Sequence, residues 1–337
     1  MKFGLMYNTG FLGTDPDQIF AVARHAEQCG FESFYFAEHI ALYPGATVGP
    51  VTIPASTPVA EYVGGMKFGL IYNTGFLGTD PDQIIAVARH AEQCGFESVY
   101  FAEHIALYPG ASLGPVTFPA STPVADPLEC LAFVAAATER LLLGTGVLLL
   151  PYHQPVVLAK RLATLDVLSK GRMRLFSVGV GALPGEAMAG GVDFATRGRR
   201  ADEAIDVLRL LWDGDENGVS FDGEFFSFTS LCSFPKPLAR LPIHVGGSSP
   251  AAARRAGLRG DGYFPGGALP PAERAAQWDL VRTTSGRDDL EYTRWASADL
   301  TPQSVAAYEA QGVTRLVVSP PTLDDLSAFA ERFGLPG

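Results

Sequence analysis

The chain has 337 residues, which accommodates one large α/β domain with additions and does not require two independent cores. Hydrophobic residues make up 47% of the chain and charged residues 18%, a balance that is typical of a globular protein with a sizeable core and excludes extensive disorder. The formal net charge of −11 disfavours nonspecific contact with nucleic acid or anionic membranes, because both require clustered Lys and Arg.

The lengths of the apolar segments and the spacing of the cysteines indicate where the protein is located and what it binds. The apolar run at Met1–Met6 is interrupted by Tyr7, Asn8 and Thr9, so it lacks the length of a signal peptide, and Leu141–Leu150 is about half the length that crosses a bilayer. The four cysteines include no CxxC spacing, which argues against a disulfide framework or a structural zinc site. We expect a cytoplasmic protein that acts on a small molecule, binds neither nucleic acid nor membrane, and is compatible with a homodimer.

The amino-terminal part of the chain is repeated. Residues 1–60 return at a constant offset of 65, so that Met1 corresponds to Met66 and Ala60 to Ala125. Six positions differ between the copies: Met6 and Ile71, Phe20 and Ile85, Phe34 and Val99, Thr47 and Ser112, Val48 and Leu113, and Ile53 and Phe118. Solenoids conserve only a sparse pattern and usually need about three or more units, so two nearly identical copies do not indicate one.

Each copy predicts a strand, a helix and a second strand. In the second copy, Phe68–Tyr72 is a β-rich run, Asp80-Pro81 provides a cap residue and a first-turn proline, Gly95 ends the helix, and Ser98–Ala102 forms the next strand. From Asp126 the alternation continues with a helix at Pro127–Thr138, a strand at Leu141–Leu149, a helix at Pro155–Leu168, a strand at Met173–Gly179, a helix at Arg199–Trp212, a hairpin at Val219–Phe228, a strand at Ile243–Gly246, a helix at Pro250–Gly257, a strand at Gly262–Phe264, a helix at Pro271–Thr284, a strand at Tyr292–Ala296, a helix at Pro302–Gln311, a strand at Arg315–Ser319 and a helix at Leu323–Phe333.

Eight strands alternating with eight helices predict a closed (β/α)8 TIM barrel in residues 66–337. An open doubly wound sheet is the alternative. Residues 1–65 are then a near-duplicate of the first β-α-β segment that is surplus to the barrel. The first copy could instead fill the barrel while the second forms a loop, because loop closure costs only a few kcal/mol. We favour the second copy, which joins the rest of the barrel directly.

The carboxyl ends of barrel strands carry the active site in folds of this kind, so the residues that follow each predicted strand are the candidates. The segment Gly246-Gly247-Ser248-Ser249-Pro250 joins a strand to a helix, where free backbone N–H groups and glycines allow an anion to approach. It predicts a phosphate site or, equally well, a tight turn with a Ser cap. Gly179-Val180-Gly181 lacks the third glycine of a dinucleotide fingerprint and fits a structural strand end.

The pair Glu103-His104 ends the second strand and supplies the best candidate for polar catalysis, because a His there can donate, accept or titrate near neutrality. Glu103 could instead simply bond within the barrel mouth. Glu38 and His39 duplicate the pair in the first copy, so one pair should be idle. We expect no metal, since HxH and HExxH spacings are absent, and no GxSxG elbow supports nucleophilic hydrolysis.

A set of ordered segments resembles the bacterial luciferase-like superfamily, and in particular its deazaflavin (coenzyme F420) branch. These segments are Ala91–Ser98 leading to Ala102-Glu103-His104, Asp126-Pro127-Leu128, Leu143–Val147, Ala159–Asp166, Leu168–Arg172, Arg197–Arg200, Phe234–Pro237 and Ile243–Gly247. The resemblance implies a (β/α)8 barrel that binds coenzyme F420, or alternatively FMN, and transfers hydride.

Positions carried over from the family give the candidate roles. The residues that would flank the ring are Tyr72, Asn73, His104 and Thr145, and those that would hold the phosphate are Gly246, Gly247 and Ser248. Further candidates for cofactor binding are Gly179 and Gly181. The candidate catalytic residues are His104 and Glu103. The loop Ala182–Ala187 departs from the family by its small residues, and Phe176-Ser177 replaces a usual glycine-bearing pair. An FMN-dependent monooxygenase and a degenerate, non-catalytic barrel are the alternative functions.

Overall fold

The computed structural model describes residues 4–7, 15–29, 33–36, 65–113, 116–266, 269–320 and 322–335. The chain divides into two compact units, one drawn from residues 1–60, 154–171 and 206–240 and the other from 61–153, 172–205 and 241–337. The strands are β1 (Gly4–Tyr7), β2 (Ser33–Phe36), β3 (Lys67–Ile71), β4 (Ser98–Phe101), β5 (Ser112–Leu113), β6 (Val116–Thr117), β7 (Leu142–Thr145), β8 (Leu148–Leu149), β9 (Met173–Gly179), β10 (Val219–Asp222), β11 (Ser227–Leu231), β12 (Ile243–Gly246), β13 (Gly262–Phe264), β14 (Glu291–Trp295) and β15 (Arg315–Val318).

Most of the described helices begin with a proline in the first turn, and many of them follow a residue whose side chain caps the helix. The helices are α1 (Pro16–Gln28), α2 (Thr74–Leu77), α3 (Pro81–Gln93), α4 (Pro127–Ala135), α5 (Pro155–Leu168), α6 (Pro184–Ala189), α7 (Arg197–Asp213), α8 (Pro250–Arg259), α9 (Pro271–Ser285), α10 (Pro302–Glu309) and α11 (Leu323–Phe333). Asp80 and Asp126 each accept two backbone N–H groups of the first turn, which confirms the predicted starts of α3 and α4. Within the described ranges, none of these helices has both the length and the apolar character needed to cross a membrane.

The second unit contains a closed parallel barrel. Its eight strands follow chain order around the ring as β3, β4, β7, β9, β12, β13, β14 and β15, and β15 pairs with β3 to close it. The predicted (β/α)8 barrel is therefore confirmed, and the open doubly wound alternative is wrong because a doubly wound sheet leaves two free edges.

The strand predicted over Leu141–Leu149 is wrong in its continuity. It divides into β7 and β8 at Gly146 and Val147, which a cis peptide bond joins. Here the backbone turns toward the preceding strand: Gly146 N donates to Phe101 O at 2.8 Å, and Val147 O accepts from Glu103 N at 3.1 Å. An apolar run does not reveal such a break, since periodicity reports burial and not the partner of each backbone group.

Aromatic side chains fill the middle of the barrel. Tyr100 stacks on Phe176 with ring centroids 5.3 Å apart, and Phe264 meets Tyr100 edge to face at 6.1 Å. Ile71 and Val317 complete this buried cluster. Gly69 and Gly144 make room for the rings, because a Cβ at Gly69 would lie 2.6 Å from Tyr100 Cε2 and one at Gly144 would lie 2.8 Å from Phe176 Cδ2.

A network of charged side chains occupies the amino-terminal end of the barrel. Arg315 is 1% exposed and binds Glu97 in a bidentate pair, at 2.6 and 2.7 Å, and Glu291 at 2.5 Å. Lys67 Nζ reaches the other oxygen of Glu291 at 2.5 Å. Lys67, Glu291 and Arg315 are the first residues of their strands and Glu97 directly precedes β4, so this end of the barrel is stabilising rather than catalytic.

His244 predicts a dependence of stability on pH. Burial lowers the pKa of its imidazole to about 4, although the charge of Glu291, 3.5 Å away, acts in the opposite direction. The pKa of this imidazole in the unfolded chain is about 6.5. Between about pH 4 and pH 6.5 the unfolded state therefore binds more protons than the folded state. We expect the contribution of His244 to the free energy of unfolding to be constant above about pH 6.5 and to fall by about 3 kcal/mol toward pH 4.

Urea unfolding of the wild-type chain and of His244→Gln at pH 7.5 and pH 5 measures this effect. The loss on acidification should be clearly smaller in the variant, because Gln does not titrate. Equal losses in the two chains would show that His244 is not the group responsible.

The first unit contains the described strands of the amino-terminal copy. β1 and β2 pair in parallel, with Gly4 opposite Ser33 and Tyr7 opposite Phe36. The same unit holds the antiparallel hairpin β10–β11, in which the second strand runs to Leu231, beyond the predicted Phe228. The strands of the second copy, β3 and β4, stand in the barrel. The division into a surplus segment, residues 1–65, and a barrel domain, residues 66–337, stays a prediction.

Candidate functional site

The predicted site residues follow five consecutive strands of the barrel, at the carboxyl end of each. Tyr72 and Asn73 follow β3, Glu103 and His104 follow β4, Thr145 ends β7, Gly179 and Gly181 lie at the end of β9, and Gly246, Gly247 and Ser248 end β12. Parallel strands bring these ends to one face of the barrel. The duplicate pair, Glu38 and His39, lies outside the described residues.

Three of these side chains serve the local structure. Tyr72 is 1% exposed and its hydroxyl donates to Leu77 O at 3.4 Å, while Thr145 is fully buried and donates to Ser177 O at 2.9 Å. Asn73 Oδ1 accepts from Gly75 N at 3.0 Å and caps α2, a helix that the sequence analysis did not predict. Their role beside a cofactor ring stays a prediction. The observed hydrogen bonds stabilise the backbone at the ends of the strands.

Glu103 links the ends of β4 and β8. Its carboxylate accepts from Leu149 N at 2.5 Å and lies 2.9 Å from His153 Nε2, and the residue is only 5% exposed. Both oxygens therefore hold the turn Leu150–Tyr152 and the residue after it in place. This is the alternative in which Glu103 bonds within the barrel mouth, and a catalytic role for it stays a prediction.

His104 pairs with the carboxylate of Glu186, which lies in α6, the helix that follows β9. Its Nδ1 lies 3.2 and 3.3 Å from the two oxygens of Glu186, which also accepts from Ile105 N at 2.7 Å. Glu186 is 1% exposed, whereas the His104 side chain is 17% exposed. The buried carboxylate favours the tautomer with a proton on Nδ1 and leaves Nε2 to exchange a proton with a bound molecule. Phe118 packs against the imidazole at 5.5 Å.

The sequence analysis missed Glu186, which lies in the loop Ala182–Ala187 that it noted only for small residues. The partners are 82 positions apart, and only the closed barrel brings the loops after β4 and β9 together. A Glu in a first helical turn, as in α6, usually serves the helix terminus, so its type and position carried no signal for this contact.

Gly181 and Tyr152 form a close contact beside this pair. Gly181 has φ +78°, and a Cβ there would collide with the Tyr152 hydroxyl. Burial, followed by the negative charge of Glu186, raises the pKa of Tyr152 to about 12, so the phenol stays neutral at physiological pH. Its oxygen is buried and has no hydrogen-bond partner among the described residues. An unpaired buried phenol is costly, which marks it as a group that a bound molecule could satisfy.

The turn after β12 contains two closely packed glycines and a buried serine hydroxyl. Gly247 has φ +107°, in the left-handed region that favours glycine, and a Cβ at Gly246 would lie 2.5 Å from Ser177 Oγ. Ser248 Oγ is buried without a partner in the described part of the chain. Ser249 accepts from Ala252 N at 3.2 Å and caps α8. The interpretation as a turn capped by a Ser is therefore confirmed for Ser249, and phosphate binding at Gly246, Gly247 and Ser248 stays a prediction.

Aromatic residues form the floor of the barrel mouth. Trp295 ends β14 and packs on Phe264 with ring centroids 4.5 Å apart. The indole lies close to the residue after the third barrel strand, since a Cβ at Gly146 would be in van der Waals contact with Trp295 Cη2 at 3.7 Å. Sequence reasoning missed Trp295, although strand alternation places it on the same face as the buried Thr293.

The closed parallel barrel, with polar groups and an apolar floor at the carboxyl ends of its strands, places the protein among the (β/α)8-barrel enzymes. The chain belongs to the luciferase-like monooxygenase family, whose model matches residues 66–310. The superfamily resemblance in the sequence analysis is thereby confirmed.

Two sequence relatives and one solved structure illustrate what the chain is similar to. An uncharacterized protein of Mycobacterium tuberculosis is 33% identical over 250 residues, which cover 71% of this chain and 85% of that protein. The F420-dependent glucose-6-phosphate dehydrogenase of Beutenbergia cavernae is 38% identical over 188 residues, or 55% of this chain and 52% of that protein. An F420-dependent secondary alcohol dehydrogenase, solved with an F420-acetone adduct, has a TM-score of 0.65 at 19% identity and covers 79% of this chain and 98% of its own. At that identity the likeness supports the fold alone.

Proposed function

We propose that the protein transfers a hydride between coenzyme F420 and a small organic substrate at the carboxyl end of the barrel. The pairing of partly exposed His104 with buried Glu186 carries this proposal, because it provides a positioned proton acceptor and donor beside the apolar floor. Relatives named for F420 dependence support the choice of cofactor.

The residues at the mouth fit a deazaflavin cofactor. Ser248 Oγ, the backbone of Gly247 and the amino terminus of α8 would hold its phosphate, since the hydroxyl is unpartnered and the glycine allows close approach. Trp295, which is partly buried and packs on Phe264, would offer an apolar face to a planar ring. The cofactor, when bound, supplies the hydride chemistry.

His104 handles the proton in this proposal. Transfer of a hydride from an alcohol also releases the hydroxyl proton, and Nε2 of His104 is the group with no hydrogen-bond partner among the described residues that can accept it. Glu186 then stabilises the resulting imidazolium across the 3.2 Å contact. Glu103 keeps the neighbouring loop in place through Leu149 and His153.

Cofactor titration tests the proposal. The full chain should bind coenzyme F420 more tightly than FMN, and Ser248→Ala should weaken F420 binding by about tenfold, the loss of one hydrogen bond to a charged group. Ser285→Ala is the matched control, because Ser285 Oγ is also buried without a partner among the described residues but lies at the carboxyl end of α9, away from the mouth residues. Unchanged affinity in Ser248→Ala would place the phosphate elsewhere.

The same titration distinguishes the other functions. Tighter binding of FMN than of F420 would favour a flavin-dependent monooxygenase, which the description of the matched family supports. Binding of F420 without turnover of any alcohol, aldehyde or ketone would favour a non-catalytic barrel. Retention of neither cofactor would end the redox proposal.

A further inference from the structure

The described residues of the first copy, 4–7, 15–29 and 33–36, have the same strand, helix and strand as their counterparts in the second copy, whose strands stand in the barrel. In the first copy Gly4 lies opposite Ser33, and in the second Gly69 lies opposite Ser98, which is the same parallel register at the offset of 65. The helix caps also coincide, since Asp15 and Asp80 both have φ −62° and ψ 117° and both accept a first-turn N–H. The first copy therefore already has the local geometry that the barrel position demands.

The first copy has two strand edges available for pairing. Among the described residues, β1 and β2 pair only with each other, whereas β3 pairs also with β15 and β4 pairs also with β7. A pair of parallel strands with open edges is a template for another strand. The edges that fit it are those of β15 and β7, because these accept the nearly identical β3 and β4.

Two of the six substitutions lie at buried positions of the second copy and bear on which copy the barrel holds. Val99 in β4 is 1% exposed, and the first copy has Phe34 at that position, so exchange would force a larger ring into a closely packed place. Ile71 is also buried and corresponds to Met6, a change of similar volume that packing tolerates better. The second copy is favoured by packing at one position, and not by a different fold.

We propose that the amino-terminal copy is a second occupant of the first two strand positions of the barrel and can replace β3 and β4 within the same chain. Replacement requires residues 66–125 to leave the ring as a loop, and the cost of such a loop grows only as the logarithm of its length. The backbone pairing that β15 and β7 lose on release of the second copy is restored by the first.

Gly69 provides a variant that blocks the second copy. A Cβ there would lie 2.6 Å from Tyr100 Cε2 and 2.8 Å from Ser98 Oγ, so valine cannot be accommodated between these side chains. The matched change in the first copy is Gly4→Val, at the same register position of β1. Three full-length chains are compared with the wild type: Gly69→Val, Gly4→Val, and the double variant.

We expect Gly4→Val to leave the urea midpoint unchanged, Gly69→Val to lower it moderately, and the double variant to lower it about twice as far or to abolish cooperative unfolding. Hydrogen exchange read by mass spectrometry identifies the occupant, because Phe34 and Val99 give the two copies peptides of different mass. In Gly69→Val, protection should fall in residues 98–101 and rise in residues 33–36.

Equal midpoints for Gly69→Val and the double variant would overturn the proposal, as would unchanged protection of residues 33–36 in Gly69→Val. A gain of protection that increases with protein concentration would place the first copy in a partner chain, and would overturn exchange within one chain. These outcomes do not depend on cofactor binding, so they leave the proposed function untouched.

Discussion

Replacement of His104 by alanine is expected to lower kcat by about 10²–10⁴-fold with the substrate that the wild type turns over, which is the usual contribution of a positioned acid-base group. The reason is local, since Nε2 is the available nitrogen of an imidazole whose Nδ1 is held by buried Glu186. Coenzyme affinity should change little, because the proposed phosphate contacts belong to Ser248 and Gly247. Turnover is followed by the absorbance of the deazaflavin.

Glu186→Gln tests whether the carboxylate positions His104. Gln keeps an oxygen that can accept from Ile105 N but removes the negative charge, so we expect a loss of kcat that is smaller than in His104→Ala, with KM little changed. A purely structural role for Glu186 would instead lower stability and leave kcat of the folded fraction intact. His90→Ala is the control, because His90 lies on α3 and contacts Ser327, away from the mouth. Full activity of His104→Ala would remove it from the mechanism.

Arg315→Met is expected to destabilise the fold by about 3–5 kcal/mol, the cost of breaking a buried ion pair by removing one partner. Arg315 is 1% exposed and binds both Glu97 and Glu291; in the variant Glu97 loses this cation and Glu291 keeps only Lys67. Its charge, set against burial that acts in the opposite direction, also holds the pKa of Glu291 well below the usual range. Urea unfolding at pH 7.5 measures the loss.

An exposed ion pair provides the comparison for Arg315. Arg287 lies 2.8 Å from Asp289, and its side chain is 41% exposed, so Arg287→Met should cost at most about 1 kcal/mol. Both variants remove one positive charge, so the difference between their losses of stability measures the effect of burying the ion pair. Similar losses in both would show that the network at the amino-terminal end of the barrel contributes little.

Much of the fold could be predicted because its signals are local. Asp80 and Asp126 sit before first-turn prolines, and such caps need only a few neighbouring residues to work. The break between β7 and β8 could not be predicted in this way, because Gly146 and Val147 bond to residues about forty positions earlier in the chain. Short elements such as α2 also escaped, since their side chains follow no long periodic pattern.

The candidate site was predicted as a set of strand ends but not as a set of contacts. Strand counting placed His104 and Ser248 at one face of the barrel, whereas the pairing of His104 with Glu186 and the packing of Trp295 against Phe264 depend on the closed ring. The network around Arg315 left one usable sign, a charged residue at the start of several strands. These charged residues could be recognised as one network only if the neighbouring strands in the barrel were known.

The most direct test of the account is a crystal structure of the full chain with coenzyme F420. We expect its phosphate within hydrogen-bonding distance of Ser248 Oγ and its ring at the mouth, between the floor that contains Trp295 and the side chain of His104. Coenzyme bound away from the carboxyl ends of the strands, or a saturated crystal with none at the mouth, would contradict the account.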